Sequence, residues 1–429
     1  MPKRIAIETY GCTLNQADSD IMESELAAAG YSVETIAHNA NTDADFILVN
    51  TCTVKTPTEQ KIIERLKALR NYKGRLIVAG CMASANIDEI ERVVPEASII
   101  TTSNVGSIAD ALKEIESTGR SVYSSYSRVD KLSYGIGNST IARIPISEGC
   151  LSSCTFCETR FARGPLNSFS EKLILKAIEL GVARGAKEIE LTSQDTGAYG
   201  RDRGTDIAEL LSKAAEIEGR FMIRVGMLNP EHLGRYIDRL IEAYKSEKVY
   251  KFIHIPVQSG SDDVLKEMMR RYSVDDFISY VNELRSKIPG ISIATDIIVG
   301  YPTESDSDFE ETMELIRKVA PSITNVSKFG RRPHAPASKL KPLDNSTIKY
   351  RSIRASRLVR EVQAKARERF VGSEETVLVT EQGRSMKGRD IYYNQIALKN
   401  NAALGSFVSA KITGSSAGCL IGYATSVSD

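Results

Sequence analysis

Short apolar runs alternate with amphipathic stretches over the first 112 residues. The apolar runs cover residues 4–7, 45–49 and 75–79, and each ends in a polar turn followed by a helical pattern such as residues 60–69. This alternation is typical of a parallel sheet with crossover helices. It predicts an N-terminal parallel α/β domain over residues 1–120.

Strand-like runs recur through a longer α/β region. They cover residues 142–146, 188–192, 221–225, 251–255, 292–299 and 322–326. Repeated strand and helix units favour a full or partial (β/α) barrel, with functional loops at the C-terminal ends of the strands. We place this barrel at residues 141–346, after a Ser-, Tyr- and Gly-rich linker over residues 121–140.

The pattern changes again after a helix that we predict over residues 347–370. Short β-like runs follow at residues 376–380, 395–398 and 407–412, separated by Gly and Asn. Short strands with such punctuation are typical of a small antiparallel β-barrel, here over residues 371–429. The fold class is therefore α/β, with two α/β domains and a C-terminal β-barrel.

Composition restricts the class of protein. Of the 429 residues, 42% are hydrophobic and 26% are charged, and no run approaches the ~18 apolar residues of a membrane span. The N-terminus has no apolar segment of a signal peptide. We therefore expect a cytoplasmic protein without membrane contact, in which the seven cysteines are metal ligands or reactive thiols rather than disulfides.

Charge is concentrated in one segment. The 56 Lys and Arg residues nearly balance the 55 Asp and Glu residues, but residues 328–369 contain thirteen basic and three acidic residues, a local net charge of +10. Such a segment suits binding to a phosphate backbone, and a solvated helix face explains it equally well on charge alone.

Three cysteines follow three of the predicted N-terminal strands. Cys12, Cys52 and Cys81 each come directly after a strand, and C-terminal strand ends share one edge of a parallel sheet. One such cysteine is usually a small buried hydrophobe, whereas three at the same edge favour a shared metal site. Three thiolates without an evident fourth ligand favour an iron-sulfur cluster over structural zinc.

A second set of cysteines gives a sharper signal. Cys150, Cys154 and Cys157 form a CxxxCxxC pattern in the loop after the first barrel strand. This spacing lets three thiolates hold three corners of a 4Fe-4S cluster and leaves the fourth iron free. A zinc site would need another Cys or His nearby, and the nearest histidine in the sequence is His232.

Motifs spread over most of the chain carry a family resemblance. They are residues 8–19, 50–55, 79–82, 150–164, 191–200, 224–230, 254–261 and 295–302. With these motifs the chain resembles the methylthiotransferases, radical S-adenosylmethionine (SAM) enzymes with an N-terminal cysteine domain and a C-terminal RNA-binding barrel called TRAM. It is most similar to the archaeal and eukaryotic branch that modifies N6-threonylcarbamoyladenosine at position 37 of tRNA. Two residues depart from the usual pattern: Ser152 stands where relatives often have Gly, and Glu158 where an apolar residue is more usual.

The resemblance implies a division of chemistry between two iron-sulfur clusters. A 4Fe-4S cluster on Cys150, Cys154 and Cys157 would pass an electron to SAM, giving a 5'-deoxyadenosyl radical that removes hydrogen from C2 of the adenine. A second cluster, 4Fe-4S or 3Fe-4S, on the three N-terminal cysteines would carry the sulfur. The implied partners are the tRNA anticodon stem-loop, SAM, an electron donor and a sulfur donor.

Polar residues near the ends of barrel strands are candidate SAM contacts. They are Gln194, Asp195, Gln258, Ser259 and Asp296, together with Arg224, whose forked guanidinium suits a carboxylate. Phe156 lies between two of the cluster cysteines and could pack on the adenine of SAM or shield the cluster. Each polar residue could also be an ordinary cap or turn residue.

Four arginines of the predicted helix recur every three residues. We expect Arg351, Arg354, Arg357 and Arg360 to lie along one side of the helix and, with Arg331 and Arg332, to follow the anticodon-stem backbone. The nearly neutral C-terminal barrel is expected to read RNA shape and loops.

Three functions remain as alternatives. The modified base could be N6-isopentenyladenosine at position 37, or the target could be an aspartate of a ribosomal protein, as in another branch of the family. The chain could also be a non-catalytic iron-sulfur or RNA-binding module.

Overall fold

The N-terminal region is a parallel α/β domain, as the sequence predicts. The computed structural model describes residues 2–53, 56–133, 137, 139–416 and 418–427. The strands are β1 (Arg4–Thr9), β2 (Ser32–Thr35), β3 (Phe46–Thr51), β4 (Leu76–Gly80), β5 (Ser98–Ile100) and β6 (Val122–Tyr123), and the helices are α1 (Thr13–Ala28), α2 (Thr56–Ala68), α3 (Cys81–Ala85), α4 (Ile87–Val93) and α5 (Ile108–Thr118). The strands pair in parallel in the order β2-β1-β3-β4-β5-β6.

Both faces of this sheet are covered, because alternate residues of each strand point to opposite sides. On one face Val49 and Val78 pack against Ile62 and Leu66 of α2. On the other face the β1, β3 and β4 side chains pack against α1 and α5. The sequence pattern missed β2, β5 and β6, because these strands are short and the two edge strands are largely exposed.

The central region contains the predicted strands in chain order. The strands are β7 (Ile141–Pro145), β8 (Ser147–Glu148), β9 (Asn167–Ser168), β10 (Glu188–Thr192), β11 (Met222–Val225), β12 (Phe252–His254), β13 (Ser292–Val299) and β14 (Ile323–Lys328). The helices are α6 (Thr159–Arg163), α7 (Glu171–Ala183), α8 (Ile207–Glu216), α9 (Pro230–Leu233), α10 (Ile237–Tyr244), α11 (Asp262–Glu267), α12 (Val274–Lys287) and α13 (Asp306–Val319).

These strands form a partial barrel. Strands β7, β10 and β11 are parallel neighbours, as are β12, β13 and β14, and a parallel bridge between Met227 and His254 joins the two sheets. Within the described residues β14 and β7 are not paired, so the barrel is open. Apolar side chains such as Ile189 and Ile223 pack against the surrounding helices. Their neighbours Glu190 and Arg224 point to the other, inner face.

The C-terminal region is a closed β-barrel preceded by α14 (Asn345–Glu368). Its strands are β15 (Glu374–Gln382), β16 (Met386–Arg389), β17 (Gln395–Leu398), β18 (Phe407–Ser415) and β19 (Leu420–Val427). The predicted small barrel is confirmed, with the difference that β17 and β19 pair in parallel, whereas its other strand pairs in the described residues are antiparallel. In the part of the chain that the structure describes, no helix has the length and apolar character needed to span a membrane.

Shorter elements lie within and between these domains. Short 3-10 helices cover Arg70–Arg75, Thr102–Ser107, Lys131–Ser133, Thr196–Ala198 and Pro336–Lys339. The predicted linker over residues 121–140 contains β6 and the buried residue Lys131, so part of it is packed against both α/β domains.

Candidate active site

The three N-terminal cysteines lie at the C-terminal ends of neighbouring strands. Cys12 precedes α1 and follows β1, Cys52 follows β3, and Cys81 begins α3 directly after β4. Because β1, β3 and β4 are adjacent in the sheet, the three loops lie side by side. Cys52 and Cys81 are buried and Cys12 is exposed.

Close packing joins these three loops. Gly11 has a φ of +110°, and a Cβ at this position would lie 2.9 Å from Cys52 Sγ, so a larger residue would displace that sulfur. The Asn15 amide donates to the carbonyl of Thr51 at 2.6 Å, and Asn15 Oδ1 accepts from Cys81 Sγ at 3.4 Å. Burial raises the pKa of the Cys81 thiol, and the charge of Cys12 adds to this shift. The three sulfurs therefore share one environment.

The second cysteine set lies in the loop between β8 and α6. Cys150, Cys154 and Cys157 are partly exposed. Arg270 Nη1 donates to Cys154 Sγ at 3.2 Å, and the Thr159 amide donates to Cys157 Sγ at 3.4 Å. Burial raises the pKa of the Cys150 and Cys154 thiols. Hydrogen bonds to sulfur favour the thiolate form that an iron-sulfur cluster requires.

The two cysteine sets face each other across the contact between α3 and α6. Thr53, next to Cys52, donates its hydroxyl to Glu158 Oε2 at 2.7 Å, and Glu158 follows Cys157. Cys81 and Ala85 of α3 pack against Ala162 of α6. The loops that carry both sets therefore lie in direct contact.

Two of the predicted SAM contacts, which are adjacent in the chain after β10, have buried oxygens without a hydrogen-bond partner. Asp195 Oδ1 accepts from the amides of Gly197 and Asn229, both at 3.0 Å. Asp195 Oδ2 is buried, accepts no hydrogen bond, and lies 3.4 Å from His232 Nε2. Gln194 Oε1 is also buried and without a hydrogen-bond partner. Because the Asp195 charge contributes to the raised pKa of Cys150, Asp195 lies within electrostatic reach of the cysteines.

Other predicted contacts lie farther along the barrel strands. Asp296 on β13 accepts from Asn325 at 2.8 Å and lies 3.1 Å from His254 Nε2. Gln258 follows β12 with a φ of +74°, and its amide donates to the carbonyl of Asp296 at 2.8 Å. Ser259 is fully buried, with its hydroxyl 3.4 Å from that of Thr312.

Phe156 and Arg224 have protein neighbours of their own. Phe156 packs in an apolar cluster with Met268 and Tyr301. The guanidinium of Arg224 lies 3.5 Å from Glu190 and 5.4 Å from the centre of the Tyr393 ring, at the contact with the C-terminal barrel. A role of these residues in SAM binding stays a prediction.

The donor sets fit iron-sulfur clusters better than single ions. Among the described residues, no group of three or more His, Cys, Asp or Glu side chains is arranged to hold one metal ion. Thiolates at the corners of a cuboidal cluster bind different iron atoms, so they need not converge on one point. Each set has three cysteine sulfurs, which matches that requirement. One sulfur of each set accepts a hydrogen bond from an arginine, Cys81 from Arg163 and Cys154 from Arg270.

Comparisons with known proteins agree with this arrangement. Residues 144–316 match the Radical SAM superfamily, and residues 4–102 match Uncharacterized protein family UPF0004. The chain is 40% identical to an Archaeoglobus fulgidus protein over 95% of this chain and 96% of that one, and 43% identical to a Methanothermobacter thermautotrophicus protein over 89% and 90%. Both are named "Probable threonylcarbamoyladenosine tRNA methylthiotransferase". A Homo sapiens threonylcarbamoyladenosine tRNA methylthiotransferase is 35% identical over 96% of this chain and 72% of that one.

The chain belongs to the threonylcarbamoyladenosine tRNA methylthiotransferase family. It is a sulfur-transferring radical SAM enzyme, and the superfamily supports an iron-sulfur cluster and SAM as cofactors. Among solved structures, the radical SAM methyltransferase TsrM from Kitasatospora setae shares the fold with a TM-score of 0.56 at 14% identity, over 79% of this chain and 77% of that one.

Several residues of the methylthiotransferase site have no signal in the sequence. Arg270, in the loop between α11 and α12, donates to Cys154 Sγ and also to Asn229 Oδ1 at 2.7 Å. Asn229 in turn donates to the Ser152 hydroxyl at 3.0 Å, and Ser152 donates to Glu231 Oε2 at 3.0 Å. Ser152 is the one indirect signal for Asn229 and Glu231, because a hydroxyl in a cluster loop needs hydrogen-bond partners.

The predicted arginine stripe is wrong. Arg351 is buried and its guanidinium bonds Glu304 at 2.6 Å, whereas Arg357 and Arg360 are exposed. A step of three residues rotates by 300° around a helix, so each arginine falls 60° behind the last. After three steps Arg360 lies opposite Arg351, and one face cannot hold the whole set.

The remaining members of the set also bind protein groups. Arg354 pairs with Glu310, Arg331 donates to the carbonyl of Leu340, and the buried Arg332 bonds Glu59 Oε2 at 2.8 Å. The exposed positive charge of α14 therefore comes from fewer arginines than the sequence suggests.

Proposed function

We propose that the enzyme replaces the C2 hydrogen of N6-threonylcarbamoyladenosine at position 37 of tRNA with a methylthio group. The observation that carries this proposal is the direct contact between the loops that carry the two sets of three cysteines, in a chain whose family members are named for this substrate. Radical chemistry at an adenine carbon and delivery of sulfur to that carbon require two sites that open on one substrate.

The proposed roles follow from the contacts of each cysteine set. Cys150, Cys154 and Cys157 hold a 4Fe-4S cluster, and Cys12, Cys52 and Cys81 hold an auxiliary iron-sulfur cluster. When bound, these clusters and SAM would supply the electron, the hydrogen-abstracting radical and the sulfur, and a second SAM would supply the methyl group. Gln194 Oε1 and Asp195 Oδ2, which have no hydrogen-bond partner, would accept hydrogen bonds from the amino group of SAM. Gln258, after β12, and Asp296, on β13, would contact SAM or the nucleoside.

The RNA-binding surface combines α14 with the C-terminal barrel. Arg357 and Arg360 are exposed cations on α14, and Tyr350 on the same helix is 60% exposed. Cations that contact phosphates and an aromatic ring that stacks on a base are the usual means of binding a stem-loop. The enzyme acts in the cytoplasm, with an electron donor and a sulfur donor as further partners.

The test is mass spectrometry of nucleosides from tRNA after anaerobic incubation with the reconstituted enzyme, SAM and a reductant. Threonylcarbamoyl-bearing and isopentenyl-bearing tRNAs are offered in the same reaction. Methylthio gain on the threonylcarbamoyl nucleoside alone supports the proposal.

Two other results overturn parts of it. Gain on the isopentenyl nucleoside keeps the chemistry and changes the substrate. If neither nucleoside gains a methylthio group, although the protein contains both clusters and produces 5'-deoxyadenosine, the substrate is a protein rather than tRNA.

A further inference from the structure

A fully buried arginine connects the two cysteine sets. The Arg163 side chain, at the end of α6, is 0% exposed. Its Nη2 donates to Asp18 Oδ2 at 2.7 Å and its Nη1 donates to Glu148 Oε1 at 3.0 Å. Its Nε donates to Cys81 Sγ at 3.2 Å. Every nitrogen of this guanidinium therefore has an acceptor, one of which is a cysteine sulfur of the auxiliary site.

A lysine completes the charge balance around Arg163. Lys131 Nζ lies 2.8 Å from both Asp18 Oδ1 and Glu148 Oε1, and its side chain is 2% exposed. Burial opposes ionisation of Asp18, but Arg163 and Lys131 outweigh it and lower the pKa of that carboxyl. Two cations face two carboxylates, so the network is balanced before any charge on the Cys81 sulfur is counted. Buried charges are tolerated when all of them are paired in this way.

The network spans both α/β domains. Asp18 and Cys81 belong to the N-terminal domain, whereas Glu148 precedes Cys150 by two residues and Arg163 follows Cys157 by six. Asn15 Oδ1, which accepts from Cys81, also accepts from Arg163 Nη2 at 2.5 Å. One guanidinium therefore links Cys81 to the segment that carries the barrel cysteines, in addition to the packing of α3 on α6.

We propose that Arg163 is a positioning residue for the auxiliary cluster, which it holds against the barrel while it raises the reduction potential of that cluster. The inference rests on the proposed function, because it requires a cluster on Cys12, Cys52 and Cys81. A cationic N–H donor to a ligand sulfur stabilises the more negatively charged, reduced form of a cluster. Removal of that donor therefore lowers the midpoint potential.

The experiment uses the full chain with Cys150→Ala, Cys154→Ala and Cys157→Ala, so that only the auxiliary cluster contributes to the spectrum. Redox titration followed by electron paramagnetic resonance gives the midpoint potential in this parent, in Arg163→Met and in Arg163→Lys. We expect a downward shift in Arg163→Met and a smaller one in Arg163→Lys, which keeps the charge but has a single nitrogen donor.

A matched control separates this effect from general damage. Arg65 forms a buried ion pair with Glu8 at 2.8 Å in the same domain, and also bonds the carbonyl of Ala40. Arg65→Met removes a comparable ion pair and is expected to leave the midpoint potential at the parent value. An equal shift in both methionine variants overturns the proposal.

The remaining outcomes are also decisive. If the parent binds iron and Arg163→Met has an unchanged potential, the inference fails while the proposed function stands. If Arg163→Met does not fold, an unchanged potential in Arg163→Lys overturns the inference and a lower one supports it. If the parent binds no iron at all, both the auxiliary cluster and the inference are refuted.

Discussion

At the scale of single residues, arginines supply the positive charge next to the sulfurs. Arg270 is partly buried and donates to Cys154 Sγ, Asn229 Oδ1 and the Tyr272 hydroxyl, so three hydrogen bonds fix its position. Residues that support metal ligands typically change metal affinity or activity 10- to 100-fold when they are replaced. We expect Arg270→Met to lower the rate of SAM cleavage by about 10-fold or more, measured as 5'-deoxyadenosine formed.

The adjacent residue is the matched control for this variant. The Arg271 side chain is 71% exposed and lies 3.5 Å from Glu231. Arg271→Met should retain the SAM cleavage rate of the unmodified enzyme, since an exposed pair contributes little. Equal rates in Arg270→Met and the unmodified enzyme would refute the role of Arg270.

At the scale of elements, α14 combines a buried and an exposed arginine. Arg351 bonds Glu304 inside the protein, and breaking a buried ion pair costs about 3–5 kcal/mol. We expect Arg351→Gln to lower the melting temperature clearly.

Arg360→Gln should keep the melting temperature of the unmodified enzyme but weaken tRNA binding, with the slope of log affinity against log salt smaller by about 1. Fluorescence anisotropy at several salt concentrations measures this slope, and an unchanged slope would exclude Arg360 from the RNA surface.

Glu188, on β10 where it contacts the C-terminal barrel, is expected to make the stability of the protein depend on pH. Burial raises the pKa of Glu188 to about 7, and the nearby Glu190 adds to the shift. Between its ordinary value of 4.5 and about 7, the folded state binds more protons than the unfolded chain. Stability therefore falls as pH rises through this window.

We expect the urea midpoint to fall between about pH 5 and pH 8, and Glu188→Gln to reduce that slope. Burial also raises the pKa of Asp390 in the C-terminal barrel to about 7, so part of the slope remains in this variant. Glu216→Gln, an exposed change at the end of α8, should keep the full slope. If Glu188→Gln and the control have the same slope, Glu188 is not the group that titrates.

At the scale of the whole molecule, we expect removal of each cysteine set to abolish a different part of the reaction. A variant with Cys12→Ala, Cys52→Ala and Cys81→Ala leaves the loop of Cys150 intact. It should still form 5'-deoxyadenosine but give no methylthio nucleoside, which mass spectrometry of the tRNA would measure. Product from this variant would mean that the N-terminal cysteines are not the sulfur site. The matched variant of Cys150, Cys154 and Cys157 should lose both activities.

The sequence by itself determined the order of the longer central strands and the place of the cysteines after them. Apolar periodicity and turn residues act over short stretches of chain, so β3, β4 and the barrel strands were predictable. The parallel sheet then placed Cys12, Cys52 and Cys81 at one edge, because parallel strands end on the same side. The CxxxCxxC spacing is also local and needed no tertiary information.

The tertiary structure alone decided which charges support these cysteines and which face the solvent. Arg270 and Cys154 are 116 residues apart, and Arg163 and Cys81 are 82 residues apart, so no period in the sequence connects them. Arg351 and Arg360 look alike in the sequence, yet the packing of α14 on the barrel buries one and exposes the other. The physical reason is that a buried charge depends on partners that folding brings from distant parts of the chain.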